Sequence, residues 1–172
     1  IELGAASVQL FKFDLTKNKD LNHVSKNAGT VDWLINNAGV FMPNLLHKKR
    51  DSEIERELRT NLEGTIKFTR KMLHQVRKGV LIVSSVAGIE TYSNMAVYCA
   101  SKFGLCGFTH GMALDYPKIK WHAILPGYTA TRMTGFNGTH PAKVGKVIID
   151  AVKGKFKINN GKNINAEEII GE

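Results

Sequence analysis

Hydrophobic and polar positions follow two different periods along this chain, and their alternation predicts strands separated by helices. Short apolar runs that end at a polar or glycine-containing turn predict strands. Longer stretches with apolar residues three and four positions apart predict helices. The predicted strands span residues 8–13, 31–35, 80–83 and 121–125, with a short terminal strand near 156–158 or at 164.

The same periodicity predicts four helices, at residues 17–26, 52–77, 95–116 and 141–152. Ser52 is the expected N-cap of the long second helix, because a serine hydroxyl can accept a backbone N–H there. Pro141 suits the first turn of the last helix. Gly79 is expected to break the pattern before the third strand. The expected apolar stripe of the second helix is Ile54, Leu58, Leu62, Ile66, Thr69 and Leu73.

Alternating strands and helices imply right-handed βαβ units, and therefore an α/β fold with a parallel sheet. The continuous apolar run Val80–Val83 is typical of a central strand covered on both faces. Polar groups follow the predicted strands at Asp14, Asn36, Ser85 and Pro126-Gly127, and the carboxyl ends of parallel strands are where binding sites form. We expect residues 1–172 to form one domain.

Composition narrows the possible partners. The 172 residues are 43% hydrophobic and 23% charged, as in an ordinary globular domain, and no apolar run is long enough to span a membrane. The net charge of +9 is dispersed except at 48–50 and 153–157, both expected to be solvated surface. We therefore expect no nucleic-acid partner, and an anionic small ligand suits the same charge balance.

Cysteines and histidines add little chemistry. Cys99 and Cys106 are seven residues apart on one predicted helix, a rise of roughly 10 Å, which is too far for a disulfide. Two reduced thiols fit a cytoplasmic protein. The six histidines form no recognised metal-binding spacing, so no metal is expected.

Tyr98 and Lys102 are the strongest candidates for chemistry. Residues four apart share one face of a helix, so the ammonium is expected near the phenol. A nearby positive charge favours the phenolate and lowers a tyrosine pKa from about 10. The spacing therefore predicts a proton donor and acceptor tuned toward neutral pH.

Five motifs, in order from Val8 to Thr131, resemble the short-chain dehydrogenase/reductase family. They are Asp14-Leu15, Asn36-Asn37-Ala38-Gly39, Asn61-Leu62-Glu63-Gly64, Ser85 thirteen positions before Tyr98 in Tyr98-x-x-x-Lys102, and Pro126-Gly127-Tyr128-Thr129-Ala130-Thr131. The resemblance implies a Rossmann-like, doubly wound parallel sheet in three α/β/α layers. It also implies an NAD(P)-dependent oxidoreductase that interconverts a carbonyl and a secondary alcohol, and assembly as a homodimer or homotetramer.

The resemblance assigns a role to each catalytic candidate. Tyr98 is the general acid and base, Ser85 binds the substrate oxygen, and Lys102 lowers the Tyr98 pKa and holds the nicotinamide ribose. Asn61 positions a water that links Lys102 to solvent. The cofactor, NAD or NADP, is expected to contact Asp14, Leu15, Asn36, Ala38, Gly39, Tyr98, Lys102, Pro126, Gly127, Thr129 and Thr131.

Several of these residues have plainer explanations. Ser84 is a near alternative to Ser85, and Asn61 is a surface residue if it does not face the site. Asp14 is otherwise an ordinary turn residue, and Thr129 and Thr131 are otherwise loop hydroxyls. The expected substrate pocket is apolar, without a charged anchor, and consists of Met42, Leu45, Ile89, Tyr92, Met95 and Phe136.

The family's Gly-rich turn, Thr-Gly-x-x-x-Gly-x-Gly, which places the cofactor pyrophosphate at a helix N-terminus, has no counterpart in this sequence. Gly4-Ala5-Ala6-Ser7 follows no strand and does not replace it. We therefore expect an N-terminally incomplete fold, which belongs to a longer chain. The alternative function is a non-catalytic fragment that acts only by association through its two long helices.

Overall fold

The computed structural model describes residues 7–171, and its centre is a four-stranded, fully parallel sheet. The strands lie side by side in chain order. They are β1 (Val31–Asn36), β2 (Val76–Val83), β3 (Lys120–Leu125) and β4 (Ile164–Asn165). Because all four run in the same direction, the turns that follow them meet at one edge of the sheet.

Helices separate the strands along the chain and confirm the predicted α/β class. The predicted bounds of the helices at 17–26, 95–116 and 141–152 are confirmed to within one residue. The helices are α1 (Asn18–Asn27), α2 (Asp51–Leu58), α3 (Thr65–Met72), α4 (Ala96–Asp115), α5 (Pro141–Val152) and α6 (Ala166–Gly171). Within residues 7–171, none is both long and apolar enough to cross a lipid bilayer.

Two apolar clusters on opposite faces of the sheet confirm the three-layer arrangement. Val80 and Ile82 belong to the cluster that α1, α3 and α4 cover. Leu81, between them, belongs to the cluster that α5 and the residues around α6 cover. All three side chains are fully buried, as expected of a central strand with both faces covered.

The strand predicted at 8–13 is wrong, because this segment forms no sheet hydrogen bonds. The alternation of apolar residues is real, but β1 pairs only with β2 and no described strand lies beside its other edge. Leu10 is 88% exposed. Phe13 packs on α3 instead, with its ring centroid 5.3 Å from that of Phe68. The segment is therefore held by side-chain contact and not by strand pairing.

The long helix predicted at 52–77 is also wrong in its bounds. It begins at Asp51, where Glu53 Oε2 accepts the Arg50 N–H at 2.9 Å, so Ser52 is not the cap. A π-helical turn, Arg59–Gly64, separates α2 from α3. A 3₁₀ turn at Leu73–Gln75 then leads directly into β2, which starts four residues earlier than predicted.

The terminal strand forms at Ile164 and not at 156–158, where Phe156 and Ile158 pack against the second cluster. Gly79 does not interrupt the pattern either. It lies inside β2 beneath the ring of Trp33 on the neighbouring strand. A Cβ at this position would meet the Trp33 ring at 2.2 Å, so glycine is what allows the tryptophan to lie across β2.

Replacing this glycine is expected to destabilise the sheet. Gly79→Ala should lower the free energy of unfolding by about 1–3 kcal/mol, because the methyl group must displace the Trp33 ring or the strand. The measurement is urea unfolding followed by circular dichroism. Gly145→Ala on α5 is the control: no atom lies within 4 Å of its Cβ, and a gain of up to about 1 kcal/mol is expected. Equal effects of the two substitutions would contradict this account.

Candidate active site

A cavity of about 780 Å³ lies at the carboxyl ends of β1, β2 and β3. The turns that follow these three strands form its walls, together with the first turns of α4. Most of the residues predicted from the sequence to bind a cofactor or react line this one space. They are Ala38, Gly39, Ser85, Tyr98, Lys102, Pro126, Gly127, Thr129 and Thr131.

Tyr98 lies in the first turn of α4, with its ring packed edge-on against Phe41. The two ring centroids are 4.9 Å apart, at an interplanar angle of 68°. Burial raises the Tyr98 pKa, and the neighbouring Ser85 hydroxyl opposes this by favouring the phenolate. The lowered pKa expected from the spacing is therefore wrong for this structure, because desolvation outweighs the favourable contacts.

Lys102 lies one turn further along α4 and is 5% exposed. Its Nζ donates a hydrogen bond to the backbone oxygen of Val83 at 3.0 Å, at the end of β2. The same nitrogen is 5.6 Å from the Tyr98 ring centroid. Desolvation lowers the Lys102 pKa to about 8. The pair therefore faces one cavity, as the spacing predicts, and the amine is bound to the strand.

Ser84 and Ser85 face different surroundings. Ser84 Oγ donates to the Lys102 backbone oxygen at 2.9 Å and is buried between β2 and α4. Ser85 Oγ accepts from the Ala87 N–H at 3.1 Å and lies beside the Tyr98 phenol. Ser85 is therefore the serine whose hydroxyl adjoins Tyr98, whereas Ser84 fixes α4 to the sheet.

Asn61 is fully buried behind the cavity, in the π-helical turn. Its Oδ1 accepts the Val40 N–H at 2.7 Å, and its Nδ2 donates to the Val40 oxygen at 2.9 Å and to Ser101 Oγ at 3.2 Å. A surface position for this asparagine is excluded. Gly39 lies directly above it, where a Cβ would be 3.3 Å from Asn61 Oδ1 and 3.7 Å from Lys102 Nζ.

Three predicted cofactor residues do not line the main cavity. Asn36 Nδ2 donates to Thr69 Oγ1 at 3.0 Å, which directs this side chain toward α3. Asp14 Oδ1 accepts hydrogen bonds from the backbone and hydroxyl of Thr16, and these hydrogen bonds lower the Asp14 pKa. Leu15 borders a separate cavity of about 190 Å³. Their contact with a cofactor stays a prediction.

The pocket contains charged side chains that the sequence prediction missed. Glu90, Arg132 and Glu167 all line the cavity. Glu167 Oε1 accepts the Gly127 N–H at 3.1 Å, and a Cβ on Gly127 would meet the Glu167 side chain at 2.5 Å. Glu167 lies beyond the motifs of the family, so no sequence signal identified it. Glu90 lies in a loop that was expected to contribute apolar residues only.

The apolar part of the pocket is only partly as expected. Tyr92 and Met95 line the cavity. Met42, Leu45, Ile89 and Phe136 are not among the lining residues: Leu45, Ile89 and Phe136 are exposed, and Met42 lies one residue past the lining segment. The apolar side chains that line it instead include Val40, Phe41, Tyr128, Met133 and Val144.

The basic cluster at 48–50 is not wholly solvated. Lys49 has a side chain that is only 1% exposed, and its Nζ is 2.6 Å from Glu57 Oε2 on α2. Glu57 is fully buried, like Asn61 one turn later, whereas Leu58 and Leu62 of the predicted stripe are only partly buried. Over α2 and the π-helical turn the most buried positions are therefore polar and lie one position before the predicted stripe, whereas Thr69 of the stripe is fully buried in α3.

Comparison with known proteins identifies relatives of this chain. A model of the short chain dehydrogenase family matches residues 1–141. A 3-oxoacyl-[acyl-carrier-protein] reductase of Bos taurus is 34% identical over 131 residues, which are 70% of this chain and 55% of the relative. Carbonyl reductase family member 4 of Xenopus tropicalis is 31% identical over 131 residues, 70% of this chain and 56% of the relative. The chain thus spans little more than half the length of these relatives.

Solved structures show the same fold. The 3-oxoacyl-[acyl-carrier protein] reductase of Brucella melitensis, crystallised with NAD, superposes with a TM-score of 0.86 at 25% identity, over 96% of this chain and 78% of that one. A short chain dehydrogenase of Shigella flexneri, crystallised with NADP, gives a TM-score of 0.83 at 20% identity, over 92% and 75%. Together with the family match over residues 1–141, these findings show that the chain belongs to the short chain dehydrogenase family.

Proposed function

We propose that this protein, in its functional form, is an NAD(P)-dependent oxidoreductase that interconverts a carbonyl and a secondary alcohol, with Tyr98 as general acid and base. The observation that carries the proposal is the convergence of Tyr98, Lys102 and Ser85 on one cavity at the carboxyl ends of the strands. Hydrolytic chemistry has less support, because no described histidine lines this cavity to activate Ser85.

The cavity suits the nicotinamide end of a dinucleotide. Small residues at Ala38, Gly39 and Gly127 keep its walls close to the backbone, and a Cβ at Gly39 would enter contact distance of Lys102 Nζ. Lys102 has further N–H donors for ribose hydroxyls besides the one bound to Val83, and Thr129 Oγ1, which donates to the Gly127 oxygen at 3.2 Å, can accept from an amide N–H. The described residues contain no Gly-rich turn for the pyrophosphate, so the fit applies to the nicotinamide and its ribose.

When bound, the nicotinamide cofactor supplies or accepts the hydride. The residues of this chain then have to move one proton. During reduction the Tyr98 phenol donates its proton to the carbonyl oxygen, and during oxidation the phenolate accepts it from the alcohol. Ser85 donates a hydrogen bond to the same oxygen and stabilises the charge that develops there. The raised Tyr98 pKa keeps the phenol protonated at neutral pH, the form that donates the proton during reduction.

The positive charge of Lys102 is proposed to stabilise the Tyr98 phenolate during the reaction. With a pKa of about 8, its amine is mostly protonated at neutral pH and can lose its proton readily. The role of Asn61 as the anchor of a water linking Lys102 to solvent stays a prediction. Assembly as a homodimer or homotetramer and a cytoplasmic location also stay predictions.

A second candidate function is association without catalysis. The large exposed apolar residues of α4 favour it, since Leu114 is 82% exposed and Phe103 is 42% exposed. Titration of the protein with NADH and with NADPH, read by the change in cofactor fluorescence, separates the two candidates. Saturable binding supports the oxidoreductase, and a folded full-length protein that binds neither cofactor supports association alone.

Removing the Tyr98 hydroxyl is expected to abolish turnover. Tyr98→Phe should lower kcat with carbonyl substrates by a factor of at least about 10²–10⁴, because general acid catalysis is lost. Cofactor binding should change little, because the ring stays in place. The measurement is NAD(P)H oxidation with a panel of ketones. Tyr116→Phe, at the end of α4 and away from the cavity, is the control, and a similar loss in both variants would refute the role of Tyr98.

Burial of Lys102 predicts a specific pH dependence of stability. The folded-state pKa of about 8 lies below the ordinary lysine value of 10.5, so the unfolded chain binds the proton more tightly. Burial of the protonated amine therefore lowers the free energy of unfolding by roughly 3 kcal/mol at pH values below 8, before the hydrogen bond to Val83 is counted. This penalty disappears as the pH rises to 10.5, so this contribution makes the protein more stable with rising pH.

Lys102→Met is therefore expected to be more stable than the natural protein at pH 7, by about 1–3 kcal/mol. This advantage should shrink as the pH rises toward 10, in urea unfolding at a series of pH values. Lys146→Met on α5 is the control, because that lysine side chain is 73% exposed, and its effect should stay constant over the range. A Lys102→Met advantage that does not vary with pH would contradict the buried-amine account.

A further inference from the structure

A buried ion pair lies one helical turn before Asn61, outside the cavity. Lys49 Nζ is 2.6 Å from Glu57 Oε2, and the two side chains are 1% and 0% exposed. The other carboxylate oxygen of Glu57 accepts the Met42 N–H at 2.9 Å. Desolvation cancels much of the attraction in such a pair, so its presence is weak support for a purely stabilising role. The pair does, however, fix the backbone at Met42.

The helix therefore holds one short backbone segment at two points. Asn61 binds the N–H and the C=O of Val40, and Glu57, four residues earlier on the same face, binds the N–H of Met42. Phe41 lies between these two anchors. Its ring packs edge-on against Tyr98, with 4.9 Å between the ring centroids. The position of the Phe41 ring thus depends on both anchors.

We propose that Lys49 and Glu57 are positioning residues for Tyr98, because together they anchor the backbone at Met42 and so hold the Phe41 ring against the Tyr98 ring. Glu57 supplies the acceptor for the Met42 N–H. Lys49 supplies the positive charge that permits a carboxylate to be buried there. Neither residue lines the cavity, so both act through Phe41.

The surroundings of Tyr98 support a close connection with this pair. Burial is the largest cause of its raised pKa, and the negative charge of Glu57 on α2 adds to it. The other groups that face Tyr98 are Ser85 after β2, Cys99 and Lys102 on α4, and Tyr128 after β3. Glu57 is thus a carboxylate whose charge acts on the Tyr98 phenol from outside the cavity, whereas Glu90 and Glu167 lie on the cavity walls.

The test follows the Tyr98 ring itself. The protein is labelled with 3-fluorotyrosine and observed by ¹⁹F NMR, and Tyr98→Phe assigns one of the four tyrosine signals. The double variant Lys49→Met with Glu57→Leu removes the charge and the acceptor, and is expected to shift the Tyr98 signal toward that of an exposed tyrosine. Lys49→Met with Glu57→Gln removes the charge but keeps an acceptor for the Met42 N–H, and is expected to shift the signal much less, because only the electrostatic effect of Glu57 on Tyr98 is lost.

Two further variants complete the comparison. Phe41→Ala, which leaves the ion pair intact, should shift the Tyr98 signal in the same direction as the leucine-containing double variant. Glu53→Gln is the matched control, since Glu53 pairs with Arg50 on the exposed side of the same helix at 3.3 Å, and it should leave the signal unchanged. Circular dichroism confirms that each variant is folded.

Three results would overturn the proposal. The first is an unmoved Tyr98 signal in the folded leucine-containing variant, and the second is an equal shift in the glutamine-containing one. The third is an unmoved signal in Phe41→Ala, which decides the question even if the leucine-containing variant does not fold.

The inference rests on the proposed function, in which Tyr98 carries the proton, but the NMR readout requires no turnover. A protein with no dehydrogenase activity and a shifted Tyr98 signal would refute the proposed function alone. Where turnover is measurable, kcat should fall about tenfold to a hundredfold in the leucine-containing variant, while the KM for cofactor stays nearly constant.

Discussion

The amide of Asn61 connects three parts of the chain that are distant in sequence. Its hydrogen bonds reach Val40 after β1 and Ser101 on α4, while its own backbone belongs to the π-helical turn between α2 and α3. A fully buried amide must find partners for its donors and acceptor, because each unpaired group costs about 1–3 kcal/mol. The turn after β1, the helix that carries Tyr98 and the helix behind them are thereby fixed relative to one another.

Close packing explains two glycines near Asn61, one against its amide and one at the end of its turn. Gly39 lies against Asn61 Oδ1, where a larger side chain would press on the amide and on Lys102. Gly64 ends the π-helical turn, and a Cβ there would come within 2.9 Å of Leu15 and of the Arg59 carbonyl oxygen. π-helical turns occur frequently at functional sites. Here the π-helical turn contains Asn61, whose fully buried amide lies behind the cavity.

Much of this arrangement can be predicted from the sequence, because residue spacing on one helix and the turn after one strand depend on residues that are close together in the chain. Tyr98 and Lys102 share a helix face, and the turn residues Gly39, Ser85 and Gly127 each follow a strand whose apolar run is unmistakable. What could not be predicted depends on partners distant along the chain. An extended segment such as 8–13 becomes a strand only beside a neighbour, and Gly79 looks like a helix breaker until the Trp33 ring is placed over it. The burial of Glu57 is concealed for the same reason, since its partner Lys49 stands in a run of basic residues that resembles ordinary surface.

The wall of the cavity next to Gly127 depends on a short segment near the end of the described chain. β4 has two residues and α6 has six, so the segment that presents Glu167 has few backbone hydrogen bonds to the sheet. Ile164 and Ala166 hold it mainly by burial. The Gly161 N–H also donates to the Trp121 oxygen at 2.9 Å, and Asn160 Oδ1 accepts the Trp121 N–H at 2.7 Å, so β3 fixes the chain just before β4. A substitution that weakens the core at Ile164 would therefore disturb the cavity wall at Gly127, while the turns that carry Tyr98 and Lys102 stay in place.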